Sequence, residues 1–198
     1  MGCIAMPAER TETMCRRFWK NFRDHMAAHV NSDRPIAYLE VGCFEAMTTR
    51  WLLDGPLGHP GSTACVIDPW FGNKKWATSG AEVEAVARRN LEPYSDRVKI
   101  WKGDSKIILA DPETPHPAGG YDFIYLDGDH SERGCDADLH LCWPLLKIGG
   151  LIVCDDYYLK GIRRVKAAVD AFLADRAHWH EVLFSDRAQI GFFRRSAP

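Results

Sequence analysis

Leu39-Glu40-Val41-Gly42-Cys43-Phe44-Glu45-Ala46 begins as an apolar run, breaks at a glycine and continues into residues suited to a helix. A strand that ends in a glycine turn and leads into a helix is the first crossover of a doubly wound α/β sheet. The missing side chain lets the backbone approach whatever binds there. Working outward, similar apolar runs recur at Ala37 to Val41, Thr63 to Ile67, Val98 to Trp101, Tyr121 to Leu126 and Leu151 to Cys154. Helices are expected between them at Ala46 to Leu53, Ala81 to Leu91, Cys135 to Leu146 and Ile162 to Leu173. That rhythm predicts parallel strands joined by helical crossovers.

The rhythm fails at His180 to Phe184 and Gln189 to Phe193, because Ser185 to Ala188 is too short for a helix. An antiparallel hairpin is expected instead. The expected fold class is therefore α/β: a doubly wound, Rossmann-like, mostly parallel seven-stranded sheet with a C-terminal antiparallel hairpin strand. Met14, Phe18, Phe22 and Met26 recur at four-residue spacing and predict an amphipathic helix over Glu9 to His29. Residues 1–35 read as an N-terminal helical segment, a cap or lid, and 36–198 as the domain proper.

The chain has 198 residues, 46% of them hydrophobic and 26% charged, which suits a single folded domain. Its 25 Lys and Arg against 27 Asp and Glu leave a net charge of -2, so no overall field attracts nucleic acid or an anionic membrane. No apolar run approaches the roughly 18 residues that span a bilayer. No secretory leader is visible, and a cytoplasmic address is expected. The seven cysteines are odd in number and contain no C-x-x-C pair, which argues against a disulfide framework or a zinc knuckle.

Ligands of such sheets bind outside the carboxyl ends of the parallel strands. Those ends read Glu40 to Ala46, Asp68-Pro69-Trp70, Gly103-Asp104-Ser105, Asp127-Gly128-Asp129-His130 and Asp155-Asp156-Tyr157-Tyr158, and every one is acidic. Such a rim repels phosphate and suits hydroxyls, an amine, a sulfonium or a hard metal ion. Phe44 stands where a dinucleotide motif needs its second glycine, so a pyrophosphate lacks its cradle. Asp68 is placed to accept from two ribose hydroxyls. A nucleoside without phosphates fits both observations.

In these residues, with Leu39 to Glu45, Val66 to Trp70, Gly103 to Ser105, Ile124 to His130 and Gly149 to Tyr157 in order, the chain resembles the class I S-adenosylmethionine-dependent methyltransferases. Within them it is similar to the small metal-dependent O-methyltransferases. The resemblance implies that Glu40, Gly42, Cys43 and Phe44 line the methionine end of S-adenosyl-L-methionine, with Asp127 beside it. It implies that Asp68 holds the ribose, and that Trp70, Gly103, Asp104 and Ser105 border the adenine. Ala46 departs from the family, which usually has a second glycine there. For Trp70 and Trp76, packing and a wall of the site are both open.

Asp127 and Asp155 end neighbouring strands about 4.8 Å apart, and Asp156 joins them if the chain turns at once. Three carboxylates without Cys or His suit magnesium, with manganese or calcium as alternatives, rather than zinc or copper. In the family the matching positions hold a divalent metal. Asp129 and His130 are the candidate bases, Asp129 first by resemblance; the competing reading makes Asp129 a cap of the helix near Ser131. Lys160, Arg163, Arg164 and Lys166 read as charge balance. Asn73 to Gly80, Tyr157 to Gly161 and the N-terminal helix are expected to close over the substrate. The expected function is metal-assisted O-methylation of a small-molecule acceptor such as a sugar or polyphenol, with no nucleic-acid or membrane partner. A nucleic-acid or amine methyltransferase and a non-catalytic binder of the nucleoside are the alternatives. The oligomeric state, a homodimer included, is open.

Overall fold

The computed structural model describes residues 8–71, 79–158 and 164–196, with side chains from residue 15 onward. Trp76, Lys160 and Arg163 lie outside these residues, as do most of Asn73 to Gly80 and part of Tyr157 to Gly161.

Seven strands form one sheet: β1 (Ala37–Val41), β2 (Thr63–Asp68), β3 (Val98–Lys102), β4 (Tyr121–Leu126), β5 (Leu146–Cys154), β6 (His180–Ser185) and β7 (Ile190–Arg194). Their order across the sheet is β3-β2-β1-β4-β5-β7-β6. The first five pair in parallel, while β7 pairs antiparallel with both β5 and β6. The strand order switches from one side of β1 to the other at β4, which sets the crevice of a doubly wound sheet above Val41 and Leu126. β4 is buried along its whole length, as a central parallel strand with both faces covered must be.

Among the described residues six α-helices flank the sheet: α1 (Ala8–Asn21), α2 (Met47–Asp54), α3 (Gly80–Leu91), α4 (Ser105–Ala110), α5 (Glu132–Leu145) and α6 (Arg164–Ala174). α1 passes directly into a π-helical turn over Phe22–Met26, so the predicted amphipathic stretch is one rod of two windings. Phe18, Phe22 and Met26 are buried on one face of the sheet, and the Phe18 ring lies 4.7 Å from that of Tyr125 on β4. On the opposite face Val165, Val169, Phe172 and Leu173 of α6 cover β5 and β7 together with Leu139 and Cys142 of α5. Lys166 is paired with Asp170 at 2.5 Å, in keeping with charge balance on that helix. All six cysteines from Cys15 onward are free thiols.

Candidate active site

The Gly42 turn holds the site together. Gly42 has φ +84°, and its amide donates to Ile67 O at 2.8 Å while the amide of Asp127 donates to Val41 O at 2.8 Å. The ends of β1, β2 and β4 are thereby tied edge to edge. Phe44 and Ala46 also adopt left-handed backbone angles, φ +49° and +57°. Ala46 thus takes the conformation for which a glycine is the usual residue, and its buried methyl group seats α2 on the core.

Two cavities open on this edge and share Gly42, Phe44, Asp127 and His130. The larger, about 530 Å³, runs over the ends of β1, β2 and β3 and is lined by Asp68, Asp104, Ser105 and Asp129. The smaller, about 250 Å³, lies over β1, β4 and β5 and includes Glu40, Cys43, Asp155 and Asp156. Phe18 and Arg17 of α1 form part of its wall.

Asp68 organises the larger cavity. Its Oδ2 accepts from the amide of Phe44 at 2.8 Å and its Oδ1 from the amide of Trp70 at 2.7 Å. Each oxygen retains a lone pair for a hydroxyl. Burial raises the Asp68 pKa, and the two amides oppose that shift. Of the two readings open for Trp70, the structure gives packing, not the border that the resemblance implies. Its backbone turns to φ +46°, its ring is buried in the core and its Nε1 donates to Phe44 O at 2.9 Å, so it props the Gly42 turn from beneath. The next residue, Phe71, 88% exposed, stands on the cavity instead. Gly103 braces the strand ends through its amide on Asp68 O at 3.1 Å, while Asp104 and Ser105 reach the cavity.

The smaller cavity concentrates charge. The His130 ring lies between two carboxylates, with Nε2 3.1 Å from Asp127 Oδ1 and Nδ1 3.3 Å from Asp156 Oδ2. The hydrogen bond to Asp127 holds the imidazole up at about 9, which favours the imidazolium between these carboxylates. Burial and the crowding of neighbouring carboxylates raise Asp127 and Asp155. Asp156 joins the group because the chain turns left-handed there, φ +52°, immediately after β5. Asp129 does not join it. Its Oδ1 accepts from the Ser131 amide at 2.9 Å and its Oδ2 lies 3.5 Å from Lys106 Nζ, on the side of the larger cavity. Although burial acts the other way, those partners hold Asp129 below the usual carboxylate range. Ser131 itself caps α5, accepting from the Gly134 amide.

Glu40 sits on the floor of the smaller cavity, buried, with Thr49 donating to its carboxyl. Burial pushes it up to about 8. The unfolded carboxyl ionises near 4.5, so between those values the folded state binds the extra proton and stability falls as pH rises. Cofactor-free Glu40→Gln lacks that slope. Its melting temperature relative to the parent is therefore expected to climb from pH 5 to pH 8 and level off above; a difference constant across this range contradicts the protonated Glu40. Burial also raises the Cys43 thiol, which leaves it a packing residue of the turn rather than a nucleophile.

A buried amide that the sequence did not single out orients Asp155. Gln189 Nε2 donates to Asp155 Oδ1 at 2.7 Å and to the Tyr125 hydroxyl at 3.2 Å, while its Oε1 accepts from Asn21 Nδ2 at 3.0 Å. The end of α1 and the turn before β7 thus converge on one carboxylate.

The sequence profile of a family described as a methyltransferase domain matches residues 39–157, from β1 to the turn after β5. The chain belongs to this methyltransferase family. A search of curated proteins finds no match. Among solved structures, the O-methyltransferase NovP is similar at 21% identity and TM-score 0.65, over 91% of this chain and 80% of that one. An O-methyltransferase from Bacillus cereus, in complex with S-adenosylhomocysteine (SAH), is similar at 16% identity and TM-score 0.62, over 97% and 93% of the two chains. The SAH-bound Podospora anserina methyltransferase PaMTH1 gives 15% identity and TM-score 0.59, over 99% and 100%. At these identities the likeness is one of fold. Family, fold and strand-end pattern agree on an S-adenosylmethionine-dependent methyltransferase of class I.

The chemistry of Asp127, Asp155 and Asp156 fits a hard divalent cation, since three crowded carboxylates face a single imidazolium. Their arrangement is not that of a closed ion site. Among the described residues no group of three or more His, Cys, Asp or Glu side chains is gathered to hold a metal. His130 stands between two of the three carboxylates and Gln189 holds the third.

Proposed function

We propose that the methyltransferase moves the methyl group of S-adenosylmethionine to a hydroxyl of a small molecule, with the adenosine in the larger cavity and the acceptor over Asp127, Asp155 and Asp156. The observation that carries this reading is the acidic cluster in the smaller cavity, joined to the larger one through the Gly42 and Phe44 turn. A sulfonium placed at that junction meets carboxylates, which favour its charge. In the larger cavity Asp68 accepts from the ribose hydroxyls, and Asp68→Ala is expected to weaken S-adenosylmethionine binding by about 1.5 to 3 kcal/mol, the scale of hydrogen bonds to a charged group. Calorimetry checks this; an unchanged dissociation constant removes the ribose contact.

Methyl transfer by direct displacement forms the new bond from oxygen to carbon as the bond from sulfur to carbon breaks, so no enzyme nucleophile is needed. The hydroxyl must lose its proton. Even a phenol, with a pKa near 10, is short of its anion by roughly 4 kcal/mol at neutral pH. The carboxylates of Asp127, Asp155 and Asp156 are the proton acceptors that an acceptor meets in the smaller cavity, and Asp129 faces the other one. A divalent cation, magnesium first and manganese or calcium as alternatives, would be held by Asp127, Asp155 and Asp156 and would stabilise the oxyanion. Free thiols are in keeping with a cytoplasmic address. No helix among the described residues is long and apolar enough to cross a membrane.

The test is methyl transfer to acceptors with adjacent hydroxyls, to their mono-O-methylated counterparts and to amines, each with magnesium and with chelator. An O-methylated product lost in chelator is expected. Transfer to nitrogen alone overturns the oxygen acceptor, and full activity in chelator overturns the cation.

A further inference from the structure

Asp138, on the inner face of α5, is 2% exposed and serves none of the roles described above. The hydroxyl of Ser105, 7% exposed and on the wall of the larger cavity, donates to its Oδ1 at 2.6 Å. Among the described residues the Ser105 hydroxyl is the hydrogen-bond partner of the Asp138 carboxylate, whose other oxygen, Oδ2, points toward Gly128. That oxygen lies 3.5 Å from where a Cβ would stand on Gly128, another residue of the same cavity. A carboxylate is thus buried directly behind the cavity wall, where it costs stability unless it is used. Burial pushes Asp138 up to about 6, and the Ser105 hydroxyl and the Lys106 ammonium oppose the shift, so it is largely ionised at neutral pH.

A serine hydroxyl has one proton to give and lone pairs to receive. With the proton committed to Asp138, Ser105 offers the cavity an acceptor and nothing else. We propose that Asp138, acting through Ser105, is a positioning residue that makes this cavity select a base edge bearing a hydrogen-bond donor, the exocyclic amine of adenine in preference to the carbonyl of hypoxanthine. The inference rests on the larger cavity being the adenosine site. Asp104 is less suited to the task. Its side chain is 39% exposed, so water competes for it, and its Oδ1 already meets the amide of Lys106 at 2.9 Å and the ammonium at 3.3 Å. A buried acceptor facing a second acceptor has no such relief, which is how a site rejects the wrong partner.

The experiment measures dissociation constants of S-adenosylhomocysteine and of S-inosylhomocysteine, its hypoxanthine counterpart, by calorimetry for the parent, Ser105→Ala, Asp138→Asn and Asp68→Ala. The parent is expected to prefer the adenine ligand by about tenfold or more. Both Ser105→Ala and Asp138→Asn are expected to shrink the preference to about threefold or less, since the first removes the acceptor and the second replaces an acceptor-only carboxylate with an amide whose NH2 can donate to the serine oxygen and release its proton. Asp68→Ala is expected to weaken both ligands alike and keep the ratio. A ratio unchanged in Ser105→Ala and Asp138→Asn, with both ligands weakened by Asp68→Ala, overturns the proposal alone, because a merely structural Asp138 lowers both affinities together. A parent ratio near one also overturns it. No effect of Asp68→Ala on either ligand overturns the adenosine site itself. If Asp138→Asn does not fold, Ser105→Ala decides the matter.

Discussion

Asp155→Ala is expected to lower turnover by about three orders of magnitude while leaving the S-adenosylmethionine dissociation constant nearly unchanged, because the group is proposed to act on the acceptor at the instant of transfer. Asp155 lies in the smaller cavity, one strand over from Asp127, and Gln189 fixes its Oδ1. Its removal deletes a proton acceptor and one third of the oxygen donors, and it strands the Gln189 amide. The larger cavity, proposed for the ribose, is untouched. Initial rates at saturating cofactor and calorimetry on the same sample separate the two readouts. A parental rate contradicts the role of the carboxylate, and a large loss of cofactor affinity moves Asp155 to the methionine side.

Gly42→Ala is expected to cost about 3 kcal/mol or more of folding stability, well above the usual effect of a single methyl group. Two penalties coincide there. The backbone angle, φ +84°, disfavours any side chain, and a Cβ would land on the carbonyl oxygen of Asp127 and 2.6 Å from Gly128 Cα. Relief requires the β1 and β4 turns to part, which breaks the junction of the two cavities. Urea unfolding monitored by tryptophan fluorescence measures the loss, and a cost below about 1 kcal/mol shows that the turns are not locked. Ala46 marks the contrast: it bears a methyl group at φ +57° with room for it in the core.

The strand ends were legible because each is a local event, an apolar run that stops at an acid or a glycine, and the observed sheet sets all five on one edge. The antiparallel hairpin was legible from its four-residue spacer. What the sequence concealed depends on long-range contacts or on a single backbone angle. Trp70 packs inward, and Phe71 stands on the cavity, because Asp68 captures the Trp70 amide at a left-handed turn. Asp129 is drawn to Lys106, a residue of another crossover. The partnerships of Gln189 with Asn21 and Asp155, and of Asp138 with Ser105, join residues far apart in the chain, and no periodicity marks them. The closed pairing of His130 with Asp127 and Asp156 was likewise hidden, since spacing placed His130 near Asp127 without its orientation.

β7 follows β6 in the chain yet lies inside the sheet, between β5 and β6. A nascent polypeptide leaving the ribosome therefore keeps the apolar flank of Ile152 and Val153 unzipped until Arg194 has been made, and β6 has nothing to dock on meanwhile. Such an open border is a template for sticking to other molecules. Gln189 comes into place with the same late strand, so the seam closes and the Asp155 carboxylate is oriented together during biogenesis.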